Sequence, residues 1–212
     1  MSVRKVITRR SCHFRGYFPS LKNGKPMAWE SQLEGCFFRL LELSPQVRSY
    51  GIQPSQETLT VGLVSMKYFP DLRVFLMDGR EWWFEVKPQK KLLIASIKQK
   101  MVAAKDHFAA SKRNFSVVKN DLIHREPLAK NLQQLMYHRR GPMLSNSQID
   151  EVGELLDLHD PKTFGELTAI FGDMEAWRLL GLGIVGVDLE KTISICSEIF
   201  LTGGHRHADI FN

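Results

Sequence analysis

Apolar residues at 33, 37, 40 and 41 follow the three-and-four spacing of a helix, and with proline absent until Pro45 they predict one over 29–43 with a single core-facing stripe. The period then shortens. Runs near 47–53, 58–66, 69–77 and 82–87 read as strands, and Asp78-Gly79 between the last two is a hairpin signal. A lysine-rich helix over 91–113, a strand over 115–119 and a helix over 126–139 complete the order helix, meander, helix, strand. That order predicts an α/β core.

Gly141-Pro142 followed by Ser145-Asn146-Ser147 breaks the pattern and predicts a hinge between a domain of residues 1–140 and one of residues 141–212. Beyond it, Ser147 with Asp150 and Glu151 opens a helix to about Leu158. A second follows over Thr163 to Phe171 and a third over Met174 to Leu180. Ile184 to Leu189 and Thr192 to Leu201 then read as two β-like runs. Helix, turn, helix and hairpin is the grammar of a small α+β winged-helix-like domain. Its helix over Met174 to Leu180 offers only Arg178 as a basic side chain, which favours protein interaction or weak DNA positioning over base reading.

Charge sharpens the division. The chain of 212 residues carries +6 overall, yet residues 1–140 hold 25 Lys/Arg against 11 Asp/Glu, or +14, and residues 141–212 hold 4 against 12, or −8. A basic domain gains affinity for nucleic acid by releasing counterions from phosphate, so the first part is the DNA-facing one and the acidic part is suited to a protein. Lys90 and Lys91 are candidates for phosphate contact. Lys98, Lys100 and Lys105 read mainly as a solvated helix face. Arg9, Arg10, Arg15 and Lys22 form a basic arm ahead of the first helix, able to lie along DNA.

The candidate chemistry lies in the hairpin. Tyr68-Phe69-Pro70-Asp71 leads into one strand and Trp82-Trp83-Phe84-Glu85-Val86-Lys87 forms the other, so Asp71 meets Glu85 and Lys87 at neighbouring strand ends. Strand alternation places Glu85 and Lys87 on one face with Val86 turned away. Two carboxylates beside an ammonium supply oxygen ligands for a divalent ion and a cation to position water, the needs of metal-assisted phosphodiester cleavage. This is the pattern PD-(D/E)xK. Glu85 also interrupts an apolar run, where an ionisable group needs a partner or a metal to offset its desolvation. On the first helix, Glu34 borders the buried stripe, whereas Glu30 and Glu42 read as solvated surface.

The ordered blocks Ser31-x-Leu33-Glu34, Val47 leading to Gln53-Pro54, Phe69-Pro70-Asp71 and Phe84-Glu85-Val86-Lys87-Pro88 resemble the TnsA family, the endonuclease subunit of heteromeric transposases, over about residues 27 to 120. The resemblance implies a restriction-endonuclease-like core that cuts the 5′ ends of a transposon, while a DDE-type transposase, TnsB, processes the 3′ ends. It implies double-stranded transposon-end DNA as substrate and TnsC, an AAA+ ATPase, as a further partner, engaged through the carboxyl-terminal region. By the same resemblance Glu34, Asp71, Glu85 and Lys87 are the catalytic set. Asp71 and Glu85 with the Val86 carbonyl would hold Mg²⁺ or Mn²⁺, Glu34 would serve a second ion or its water, and Lys87 would orient the attacking water. Gln53 matches the glutamine of the Gln-Pro block. Some family members carry glutamine where this chain has Glu85.

Other chemistry is sparse. Cys12, Cys36 and Cys196 lack zinc-ribbon spacing, and with no signal-peptide pattern they point to a reducing cytoplasm and a DNA-associated, non-membrane protein. Cys12-His13 and His205-Arg206-His207 read as tails ahead of metal sites, and no phosphate-binding loop GxxxxGK[ST] occurs. An autonomous restriction or repair nuclease of the same fold, or a non-catalytic DNA-binding adaptor, would share most of these features.

Overall fold

The computed structural model describes residues 15–211; Arg9, Arg10, Cys12 and His13 lie outside the described residues. The fold is mixed α/β and divides into two compact units, one running to Glu42 and resuming over Gln46–Arg125 with Phe211, the other comprising Leu43–Pro45 and Glu126–Ile210.

The first unit opens with a hairpin where the sequence suggested a basic arm: β1 (Gly16–Ser20) pairs antiparallel with β2 (Lys25–Trp29). Gly24 at φ 61° closes its turn, a backbone that favours glycine. Helix α1 (Gln32–Leu43) starts later than expected because Ser31 caps it: the Glu34 N–H donates to Ser31 Oγ at 3.2 Å, and Glu34 reaches back to the Glu30 N–H at 2.9 Å. Strand β3 (Val47–Ile52) follows. The run expected as one strand over 58–66 is instead a tight hairpin, β4 (Glu57–Val61) with β5 (Val64–Tyr68), because Gly62 at φ 61° reverses the chain.

Strands β6 (Leu72–Leu76), β7 (Glu81–Val86) and β8 (Asn114–Val118) complete a sheet of order β3-β6-β7-β8, antiparallel except for the parallel pair β7–β8. Parallel neighbours need a crossover, and the lysine-rich segment supplies it as two helices, α2 (Gln89–Leu92) and α3 (Ala95–Ala110), interrupted at Ile94, which is extended at ψ 120°. Alternation along β7 divides the core. Phe84 meets Phe37 of α1 at 5.3 Å between ring centres, whereas Trp83 meets Phe108 of α3 at 5.7 Å, so α1 and α3 cover opposite faces. After β8 comes the short α4 (Asn120–Ile123).

In the second unit, α5 (Leu128–His138) packs against α8 (Asp173–Leu182) at Gly181, where a Cβ would come within 2.6 Å of the Leu135 carbonyl oxygen. That contact explains why the units divide at Arg125/Glu126, upstream of the hinge expected at 140/141. Helix α6 (Asn146–His159) begins with a reciprocal cap between Ser145 and Gln148, ahead of the predicted Ser147 start, and α7 (Phe164–Phe171) is capped by Thr163. The two β-like runs contract to β9 (Gly186–Val187) and β10 (Ile199–Phe200). The second run splits its backbone bonds: Phe164 N–H donates to Ser197 O and Ile199 N–H to Lys162 O, which diverts it from a long hairpin. His205, expected in a solvated tail, is buried, accepting from the Val187 N–H at Nδ1 and facing the Leu180 carbonyl with Nε2. Among the described residues no helix is long and apolar enough to cross a membrane.

Candidate active site

Because Leu72 pairs with Phe84, the register carries Asp71 opposite Glu85 at the end of β6–β7. Lys87 bridges them: its Nζ lies 2.7 Å from Glu85 Oε1, 3.3 Å from Asp71 Oδ2 and 3.4 Å from the Val86 carbonyl oxygen. The Val86 N–H donates to Asp71 Oδ2 at 2.8 Å, so backbone as well as side chain fixes the aspartate. Glu85 is buried, and the Tyr68 hydroxyl donates to its second oxygen at 2.6 Å. Tyr68 was not singled out from sequence; its only local signal is its place three residues before Asp71 on the strand leading into the site. Lys100 of α3 sits over the Tyr68 ring at 5.0 Å.

The electrostatics are crowded. Burial, then the Glu85 charge and the more distant Glu34 charge, push the Asp71 carboxyl well up, against the pull of Lys87 and the Val86 N–H. Burial also raises Glu34, with its caps and Lys87 opposing. For Lys87 burial pulls downward, but Asp71 and Glu85 together overcome it and the ammonium is held firmly protonated. Burial and the Glu85 charge push the Tyr68 hydroxyl far above its ordinary range, so it remains a donor. The Asp71 and Glu85 carboxylates thus share one cation, with Glu34 acting on Asp71 and Lys87 through its charge.

Gln53 joins from the end of β3. Its N–H donates to the Asp71 carbonyl at 2.9 Å, and its side-chain amide donates to Glu30 Oε2 at 3.1 Å. Glu30 also pairs with Arg15 at 3.0 Å and is therefore engaged, not the solvated surface group expected. Gln53 is buried at φ 40°, a left-handed backbone that costs a non-glycine residue on the order of 1 kcal/mol. Its buried carboxamide oxygen accepts from no described residue.

Hard oxygens suit Mg²⁺ or Mn²⁺, and the residues present fit one: the Asp71 and Glu85 carboxylates and the Val86 carbonyl, gathered within 3.4 Å of the Lys87 ammonium. Among the described residues no group of three or more His, Cys, Asp or Glu is gathered as a ready cage, since the Lys87 ammonium stands between the two carboxylates. Glu34 is committed to its cap and acts on Asp71 and Lys87 through charge rather than contact. Lys90 and Lys91 are exposed on α2, just after Lys87 in the chain.

Glu42, expected at the surface, is instead buried near the other end of α1. It accepts from Ser20 Oγ, the Leu21 and Lys22 N–H groups and the Tyr50 hydroxyl, at 2.6 to 3.2 Å. Lys22 closes over this turn, donating to the Val47 carbonyl at 2.5 Å, and burial lowers its pKa to about 8 against the pull of Glu42. This second acid site is structural. No protein-family model matches the chain, and no curated protein matches it.

Proposed function

We propose that this protein is a metal-dependent DNA endonuclease of the TnsA kind, the transposase subunit that hydrolyses the 5′-end phosphodiester bonds of a transposon, working with TnsB-type and TnsC-type partners in the cytoplasm. The observation that carries the reading is the convergence of Asp71, Glu85 and Lys87 across one register step of a hairpin, in the PD-(D/E)xK order. The mixed sheet covered by α1 on one face and α3 on the other supports a restriction-endonuclease-like core. Three helices followed by a minimal strand pair support a winged-helix-like second domain. Arg178, its one helical candidate for DNA, donates to the Pro142 carbonyl at 2.6 Å and lies 3.6 Å from Glu175, which supports a protein-facing role there.

A bound Mg²⁺ would polarise the scissile phosphate and offset charge on the attacking and leaving oxygens. Asp71, Glu85 and the Val86 carbonyl would hold it. Tyr68 keeps Glu85 in one rotamer by donating to the oxygen that Lys87 does not use. Lys87, whose ammonium lies within 3.3 Å of both carboxylates, would donate to the attacking water and steady its line of approach. Glu34 adds negative charge at the rim that favours a second ion or an ordered water.

The test is Mg²⁺-dependent 5′-end nicking of a transposon-end duplex by wild type and Asp71→Ala, with and without partner proteins. Nicking by wild type alone in the presence of partners, lost in the variant, supports the proposal. Efficient cutting by the purified chain without partners favours an autonomous nuclease, and DNA binding without any cutting favours an adaptor.

A further inference from the structure

We infer that the β4–β5 hairpin is a DNA wedge, one face of it contacting phosphates while Leu63 at its tip enters between base pairs; this rests on the DNA-cleaving reading above. The two strands pair only with each other, from Glu57 with Tyr68 to Val61 with Val64, and stand apart from the four-stranded sheet. Directly opposite residues share a face. Leu59 and Tyr68 therefore turn toward α3, where both are fully buried, and Thr58, Thr60, Ser65 and Lys67 share the other face, where all four are exposed. That outer face itself offers three hydroxyls and one ammonium, the donor chemistry that meets phosphate oxygens, and beside Thr58 and Thr60 a cavity of α3 adds Lys98 and His107 as well as Asp106.

The base is held rigidly. Glu57 takes two hydrogen bonds from Arg113 at 2.9 Å each and lies 2.9 Å from His107 Nε2, so the one acid of the hairpin is neutralised and its strands are anchored to α3 and β8. At the opposite end the turn through Gly62 leaves Leu63 wholly exposed and Val64 66% exposed. A leucine at the end of a stiff ribbon is the kind of side chain that unstacks a base step and kinks a duplex.

The hairpin is also joined to the candidate catalytic cluster, since its last residue, Tyr68, donates to Glu85. Tyr68 lies five residue steps from Leu63, so at about 3.3 Å per step the tip reaches about 17 Å, equal to about five steps of a DNA strand. The wedge thus fixes the register of the duplex at a set distance from the phosphate to be cut.

The experiment places 2-aminopurine at successive positions of the duplex used for nicking, with Ca²⁺ in place of Mg²⁺ and with partners wherever cutting requires them. For wild type, fluorescence rises at one position about five base pairs from the cleaved phosphate. Leu63→Ala removes that rise and weakens binding about tenfold, whereas Lys67→Ala keeps the rise and lowers the salt dependence of log K by about one. A wild type that cuts in Mg²⁺ without unstacking any position, or a Leu63→Ala protein that unstacks and binds undiminished, overturns the wedge and leaves the nuclease reading standing. Unstacking that depends on Leu63, without any Asp71-dependent cutting, retains the wedge and removes the nuclease.

Discussion

Asp71 and Glu85 share one ammonium, that of Lys87, and feel the charge of Glu34 at the start of α1, whereas near the end of α1 Glu42 receives four donors, two from the backbone and two from hydroxyls. Both clusters bury carboxylate, yet they answer its desolvation in opposite ways. At Glu42 hydrogen bonds satisfy the charge, so the group pins the β1–β2 turn to α1 and β3 and has no need of an ion. At Asp71 and Glu85 two carboxylates share one ammonium, one backbone N–H and one hydroxyl, so negative charge is left over that a divalent cation would balance. Burial of an acid is therefore a weak guide to function; the ratio of donors to carboxylates separates the structural site from the candidate active one.

The largest expected effect lies in the crowded cluster. Asp71→Ala and Lys87→Ala each lower Mg²⁺-dependent strand cleavage by on the order of 10³, while circular dichroism and the melting midpoint show a folded chain. Cleavage retained by either variant breaks the comparison. Glu42→Ala has the reverse signature: it leaves backbone and hydroxyl donors unpaired, costs about 3 kcal/mol and lowers the melting midpoint by roughly 10 °C, with cleavage per folded molecule unchanged. Loss of activity without loss of stability in that variant would erase the distinction between the clusters.

Glu57 supplies a pH-dependent contrast. Hydrogen bonds from Arg113, opposed by partial burial and helped by Ser55 and His107, hold its carboxyl at about 2 against an ordinary 4.5. A depressed acid stabilises the fold above the unfolded value, and that contribution is lost as pH falls from about 4.5 to about 2. Glu57→Gln should cost on the order of 2 kcal/mol near neutrality, and urea midpoints of the two proteins should converge through that acidic window. The smallest effect concerns stability at the candidate catalytic cluster itself. Asp71→Asn keeps an acceptor for the Val86 N–H and removes one of three crowded charges, so it should stabilise the ion-free protein by about 1 kcal/mol, read as a higher melting midpoint in chelator.

Asp71, Glu85 and Lys87 were legible because their meeting depends on local rules: a period of two along a strand and an Asp-Gly reversal. The amphipathic pattern likewise revealed α1 and its core face. Tyr68 and Glu42 were not legible as site residues because their partners are brought by tertiary pairing, Glu85 lying 17 residues from Tyr68 and Ser20 lying 22 residues from Glu42. Gln53 gave no hint of its left-handed backbone, which the neighbouring strands impose. The second unit shows the other limit of pattern: residues 192–201 alternate like a strand, but their backbone groups are shared between β9 and the entry to α7, so the predicted hairpin survives as two residues on each side.

Mn²⁺ titration followed by electron paramagnetic resonance measures most directly whether the crowded carboxylates hold a cation. The account predicts saturable binding to wild type and to Glu42→Gln, displaced by Mg²⁺, with binding lost in Asp71→Asn. Equal Mn²⁺ binding by wild type and Asp71→Asn, or none by either, would contradict it.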